Sequence, residues 1–301
     1  MGNANTIGSA ERCTVSFRIV FDWRRRGDGP PLVIGWKAWR GEDTERQRIY
    51  NLPVATRRAV PEAVEAVPYF REEALKFLRG LKRNNRREWF DARKDVYERE
   101  LKRPMLALIE AVNAALAEFA PEHVRPAQKS MFRIYRDTRF SADKSPYKTH
   151  LAAWWSRAGL EKTSGGGFYF HVAANEVIVA AGVYMPEREQ LQAIRKYLLE
   201  HHEEVRRQLN DKKLRRAMVM FDGEALTRAP KGFPKEHPAM DLLLCRQWGV
   251  TAHLPAEAAL KPTLVKEVVS RFRLAAPLVE ALNRPLLGLV EKKRRPLFGL
   301  P

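Results

Sequence analysis

Gly167-Phe168-Tyr169-Phe170-His171-Val172-Ala173-Ala174-Asn175-Glu176-Val177-Ile178-Val179-Ala180-Ala181-Gly182-Val183-Tyr184 carries the clearest strand signal in the chain. Two apolar runs, Phe168 to Val172 and Val177 to Tyr184, flank a turn at Ala173 to Glu176, which is the pattern of a β-hairpin. The second arm is almost wholly apolar, so it belongs inside a sheet with both faces covered. The glycines at 165–167 lead into the hairpin. No Gly-Lys-Ser/Thr follows them, so they do not make a phosphate loop.

Helical periodicity lies on both sides of the hairpin. Downstream, Pro186 and Glu187 open a long helix with Leu191, Ile194, Leu198, Val205 and Leu209 on one stripe. Shorter helices are expected around Leu214 to Phe221, Leu264 to Phe272 and Pro277 to Leu289. Upstream, Phe70, Ala74, Phe77, Leu78 and Leu81 form a stripe that ends at Asn84-Asn85. A second helix turns Trp89, Phe90, Val96, Tyr97 and Leu101 inward. Pro104 suits the first turn of a third, with Leu108, Ile109, Val112, Leu116 and Phe119. Helices, then antiparallel strands, then helices define an α+β fold.

Between the third helix and the hairpin runs Met131-Phe132-Arg133-Ile134-Tyr135-Arg136-Asp137-Thr138-Arg139-Phe140, followed by Ser-Ala-Asp-Lys-Ser-Pro. With period 2, Phe132 and Ile134 share one face, and Arg133, Tyr135, Asp137 and Arg139 share the other. This predicts an arginine-rich strand in a central, mainly antiparallel sheet. Guanidinium groups bind phosphate and carboxylate in pairs of hydrogen bonds, and tyrosines can orient or stack on a ligand. The candidate ligand-binding residues are therefore Arg133, Tyr135, Arg136, Arg139, Lys144, Tyr147 and Lys148. Strict alternation puts Arg136 on the opposite face from its neighbours. Like charges about 7 Å apart repel by about 2.4 kcal/mol at an effective dielectric near 20, and Asp137 offsets only part of this. Asp137 and Asp143 are the candidate catalytic bases, with His150 a further one beside Lys144 and Lys148. The competing reading is a purely structural arginine network in a non-catalytic interaction protein.

The chain has 301 residues and a formal charge of +18. Residues 1–68 carry 11 Lys and Arg against 8 Asp and Glu, so most of the excess sits on the body, where it favours anionic partners. Those first 68 residues show no helical stripe, although Val15 to Phe21 and Leu32 to Trp36 could be short strands. They are read as a poorly ordered or variable extension, followed by one domain over 69–290 and a basic tail over 291–301. No stretch approaches the roughly 20 apolar residues of a membrane span, and no signal-peptide pattern opens the chain. Cys13 and Cys245 are too few for a disulfide framework or a zinc site. His201-His202-Glu203-Glu204 lacks metal-ligand spacing, and no cofactor motif is present. A cytoplasmic protein of undetermined oligomeric state is expected, with no membrane partner.

Several of these segments together resemble a bacterial family of unknown function, number 2461. They are Asn84 to Phe90 with Lys94 and Tyr97, Arg133 to Ser141, Asp143 to His150, Gly167 to His171, Gly182 to Tyr184, Lys231 to Pro234 and His237-Pro238. The resemblance spans roughly residues 69–287. Arg86 stands where the family pattern tends to have a third Asn. The resemblance implies no activity, cofactor or catalytic residue. The residues themselves favour a basic pocket for a phosphate-bearing small ligand or nucleic acid. The alternative is an enzyme acting on a phosphorylated substrate through an Asp base.

Overall fold

In a computed structural model, residues 67–139, 142–160, 165–223 and 225–294 are described. Of the expected extension over residues 1–68, residues 1–66 with the two candidate strands lie outside them, as do Phe140, Ser141 and residues 295–301. Of the described residues, 137–139 and 142–144 belong to one unit and all others to a second, the body.

The body is α+β. Strands β1 (His150–Ser156), β2 (Gly167–Ala173), β3 (Glu176–Val183), β4 (Val219–Met220) and β5 (Trp248–Pro255) form one antiparallel sheet in the order β1-β2-β3-β5-β4. The expected hairpin is β2 and β3, with Phe170 opposite Val179, and every β3 residue after Glu176 is buried. Alternation sorts the side chains. Leu151, Ala153, Trp155, Phe168, Phe170, Val172, Val177, Val179 and Ala181 enter the main core. His150, Ala152, Trp154, Tyr169, His171, Ile178 and Ala180 point to the other face.

Helices cover the core face. They are α1 (Glu72–Arg83), α2 (Arg87–Asp91), α3 (Lys94–Val96), α4 (Arg103–Phe119), α5 (Ala127–Ser130), α6 (Arg188–Leu209), α7 (Lys212–Ala217), α8 (Met240–Leu244) and α9 (Leu264–Arg294). Phe272 of α9 meets Trp155 and Phe168 at ring centroids of 5.4 and 4.9 Å. Each such fully buried ring contributes roughly 1.5–3 kcal/mol of transfer free energy. The Trp155 indole donates to Asn113 Oδ1 at 3.0 Å, and Asn113 donates to the Arg125 carbonyl at 2.7 Å. That chain of bonds ties α4 to the sheet without leaving a buried amide unpaired.

Three elements differ from the sequence expectation. The two helices expected on either side of Pro277 are one, α9, with Pro277 and Pro285 inside it. An interior proline costs about 3 kcal/mol. The unbroken apolar stripe Leu264, Val268, Phe272, Ala275, Leu278, Leu282 and Leu286, all buried, outweighs it. α9 also runs into the stretch expected as tail. The second upstream helix is split into α2, α3 and a π-helical turn at Tyr97–Lys102 that enters α4. The break lets Phe90 and Tyr97 converge on Phe77, at 6.0 and 6.2 Å. The helix expected over Leu214 to Phe221 stops at Ala217, and Val219 and Met220 pair with β5 instead.

The arginine segment is the main correction. It is extended, but it is not one of the five strands. It makes single antiparallel bridges, Met131 with Ala153 and Tyr135 with Tyr147. Phe132 N–H donates to the Ala152 carbonyl at 2.9 Å, so the segment leaves the edge of β1 after one contact. It then folds back on itself, and Pro146, which has no N–H to donate, takes part in that pairing only as an acceptor.

Candidate functional site

The body holds both ends of the arginine segment as an irregular hairpin. Arg136 N–H donates to the Pro146 carbonyl at 2.9 Å and Lys148 N–H to the Ile134 carbonyl at 2.8 Å. Ile134 is buried, while Arg133 and Tyr135 are exposed, as alternation requires. Arg136 donates to Ser145 Oγ at 3.0 Å, and the Lys148 ammonium lies 5.1 Å from the Phe132 ring centroid.

Tyr147 anchors this hairpin. It is only 2% exposed and stacks on Phe90 at 4.2 Å with an interplanar angle of 16°. Asn85 grips its backbone from both sides. The Asn85 amide donates to the Tyr147 carbonyl at 2.9 Å and accepts from the Tyr147 N–H at 3.0 Å. The primary amide thus stands in for a neighbouring strand. Tyr135, half exposed, stands 5.5 Å from Tyr147 and is the aromatic ring of the pair that a ligand can reach. Asn85 was legible in sequence only as a helix-ending residue. Replacing it with Ala removes both bonds, so we expect a stability loss of about 1–3 kcal/mol. Faster hydrogen exchange at the Tyr147 and Lys148 amides, with helix content unchanged by circular dichroism, checks this.

Lys148 leads into β1, and His150 opens a row of rings on the sheet face turned away from the main core. His150 and His171 stack at 4.9 Å and 28°. The Tyr169 hydroxyl is 3.0 Å from His171 Nδ1, and Trp154 lies 6.4 Å from Tyr169. Ala152 and Ala180 are the small residues among them. Burial holds the His150 imidazole neutral, down to about 4, and the Lys148 and Arg136 charges act in the same direction. Burial pushes His171 well below its ordinary value, with His150 and His253 adding to this. The Tyr169 hydroxyl is pushed up, first by burial, then by Tyr184 and Glu176. Among the described residues, no group partners His150 Nε2, His171 Nε2 or Trp154 Nε1, although all three atoms are buried.

The other predicted residues lie in the second unit. There Asp137 holds Arg139 with two parallel bonds, Nε to Oδ1 at 2.9 Å and Nη2 to Oδ2 at 2.6 Å. This pair raises the Arg139 guanidinium further above its ordinary value. The Lys144 ammonium donates to the Thr138 carbonyl at 2.9 Å. Asp143 is exposed. The body therefore unites Arg133, Tyr135, Arg136, Tyr147 and Lys148. Asp137, Arg139, Asp143 and Lys144 form a separate local arrangement. Trp154 escaped notice in the sequence because β1 went unrecognised, although the run Leu151-Ala152-Ala153-Trp154-Trp155 is the signal that could have found it. Among the described residues, no group of three or more His, Cys, Asp or Glu side chains could hold a metal ion, and no helix is long and apolar enough to cross a membrane.

Helices packed on a five-stranded antiparallel sheet define this as an α+β protein. The chain belongs to the conserved hypothetical protein family DUF2461, whose sequence pattern matches residues 73–280. The match takes in the hairpin, all five strands and most of α9. No curated protein matches the chain.

Proposed function

We propose that this protein binds a phosphate-bearing small ligand where the Arg136–Lys148 hairpin meets β1. The observation that carries this reading is the field at His150. Lys148 and Arg136, brought together by the bonds from Arg136 N–H to the Pro146 carbonyl and from Lys148 N–H to the Ile134 carbonyl, both place positive charge beside its imidazole. A positive field at a buried site attracts an oxyanion strongly, because water screens it little there. Arg133 and Tyr135 are exposed on the same hairpin and suit the outer part of such a ligand. A structural role fits Tyr147 better, since it is buried under Phe90. An acid–base role for Asp137 gains no support, since both of its oxygens hold Arg139.

Calorimetric titration with AMP and with inorganic phosphate tests the reading. Binding to the parent protein should weaken about tenfold in Lys148→Ala and in Arg136→Ala, as expected for a lost charge-assisted bond. Melting temperatures should change little. The absence of any phosphate binding by the parent would refute the proposal. Nucleic acid is the competing ligand. Duplex binding through about four cationic groups would give a log affinity falling with log salt at a slope of roughly −4. A single small anion should give a far shallower slope.

A further inference from the structure

We infer that the stacked pair His150 and His171 forms a seat for a terminal phosphate monoester, and that Trp154 receives a second acceptor of the same ligand. This rests on the phosphate-binding reading above and names the chemistry of its inner end. Unpartnered polar atoms in a protein interior are rare, and each raises the free energy of the unliganded fold. Here three occur on one sheet face, at His150 Nε2, His171 Nε2 and Trp154 Nε1. They belong to one continuous row. Successive centroids lie 4.9 Å apart from His150 to His171, 5.6 Å to Tyr169 and 6.4 Å to Trp154. Pairing across the strands sets this row, with His171 opposite Ala152 and Tyr169 opposite Trp154.

The chemistry of the three atoms selects the ligand. An indole N–H only donates, so whatever meets Trp154 must accept. We take the Tyr169 hydroxyl as the donor to His171 Nδ1, 3.0 Å away; His171 then carries its proton on Nε2 and donates outward too. The neighbouring Lys148 and Arg136 repel a metal ion and attract an anion. Neutral N–H donors under nearby cations suit the free oxygens of a phosphate. A seat whose donors are buried is reached by an end group with three unsubstituted oxygens. An internal phosphodiester carries a substituent on each side. The row is also longer than one phosphate, which is why the third donor is assigned to another acceptor on the ligand.

His150→Phe and Trp154→Phe provide the test, because each keeps an aromatic ring and deletes an orphan polar atom, and neither side chain makes a described hydrogen bond. At pH 7.5 His150→Phe should unfold at the same or a higher urea concentration than the parent, whereas Trp154→Phe, which also gives up buried ring volume, should unfold at a somewhat lower one. AMP affinity should fall about tenfold in each. Inorganic phosphate should lose affinity in His150→Phe and keep it in Trp154→Phe. The internal diester of adenylyl-adenosine should bind the parent at least about tenfold more weakly than AMP. Nitrogen-15 spectra of the parent should show His171 protonated at Nε2, and the Trp154 indole N–H should shift on adding AMP. Loss of stability in both variants with AMP affinity unchanged would assign the row a structural role. Stabilisation of the parent by zinc and not by phosphate would make the two imidazoles a metal site and overturn the inference. If Lys148→Ala abolishes AMP binding while His150→Phe does not, the cationic hairpin survives and the seat alone fails. If the parent binds no phosphate at all, both readings fall together.

Discussion

Gly182→Ala should destabilise the protein more than any ordinary surface or core substitution in the sheet. Gly182 lies in β3 between Gly167 of β2 and Gly249 of β5, forming a row of three glycines across the sheet. Its φ is +139°, a conformation an L side chain rarely adopts. A Cβ built there would sit 2.3 Å from the Trp248 carbonyl oxygen and 2.4 Å from Gly249 Cα. Both are backbone atoms of the central β3–β5 pair, so neither can move without breaking the ladder. Backbone strain of about 1–3 kcal/mol and overpacking of a similar size together remove roughly 2–6 kcal/mol. That is a large share of the 5–15 kcal/mol that stabilises an ordinary domain. Urea denaturation of the variant against the parent measures it, and a midpoint shift equivalent to under about 1 kcal/mol would show that the sheet can yield.

The glycine row also shows why the sheet's second face was hard to read. A Cβ on Gly167 would meet the Trp154 ring at 2.8 Å, and one on Gly249 would meet the Phe221 ring at 2.4 Å. Gly167 and Gly249 are thus each a floor under an aromatic ring from a neighbouring segment. The hairpin, the capped start of α6 and the stripe of α1 were legible, because local periodicity and turn chemistry alone specify them. The arginine segment alternates correctly, with Ile134 in and Arg133 and Tyr135 out, yet beyond one bridge to β1 it forms no strand of the sheet. Alternation reports which side chains are buried; pairing depends on the partner strand. β1 and β5 went unrecognised for the converse reason. Trp248-Gly249-Val250-Thr251-Ala252-His253-Leu254 does alternate, but glycine and small residues weaken a strand signal until the neighbours are known. Of the candidate site, the charged residues and His150 stood out in the sequence, whereas Trp154 did not. Only the pairing of β1 with β2 places His150, His171 and Trp154 in one row.

Those histidines make the protein acid-labile. His150, His171 and His123 all titrate below their ordinary value, in each case chiefly through burial. His150 faces Lys148, Arg136 and the His171 ring, while His171 faces His150, His253 and the Tyr169 hydroxyl. His123 lies under the sheet, with its Nδ1 3.0 Å from the Trp155 carbonyl and with Glu122, Arg157 and Glu280 around it. Below pH 6.5 the unfolded chain binds protons at these sites that the folded chain refuses, so stability falls as the pH falls. His150 has a folded value of about 4, so it alone removes about 2 kcal/mol by pH 5 and about 3 kcal/mol once the pH is below that value. The other two add losses of the same sign over the same descent. Urea midpoints between pH 7.5 and 4.5 should therefore drop steeply, and the slope should flatten in His150→Phe. A midpoint independent of pH over that range would show the imidazoles to be open to water in the folded protein. A bound phosphate reverses the sign at two of the three sites, because an anion beside His150 and His171 favours their protonated forms. Saturating AMP should accordingly protect the protein more at pH 5.5 than at pH 7.5, whereas His123 lies outside that row and keeps its full acid penalty.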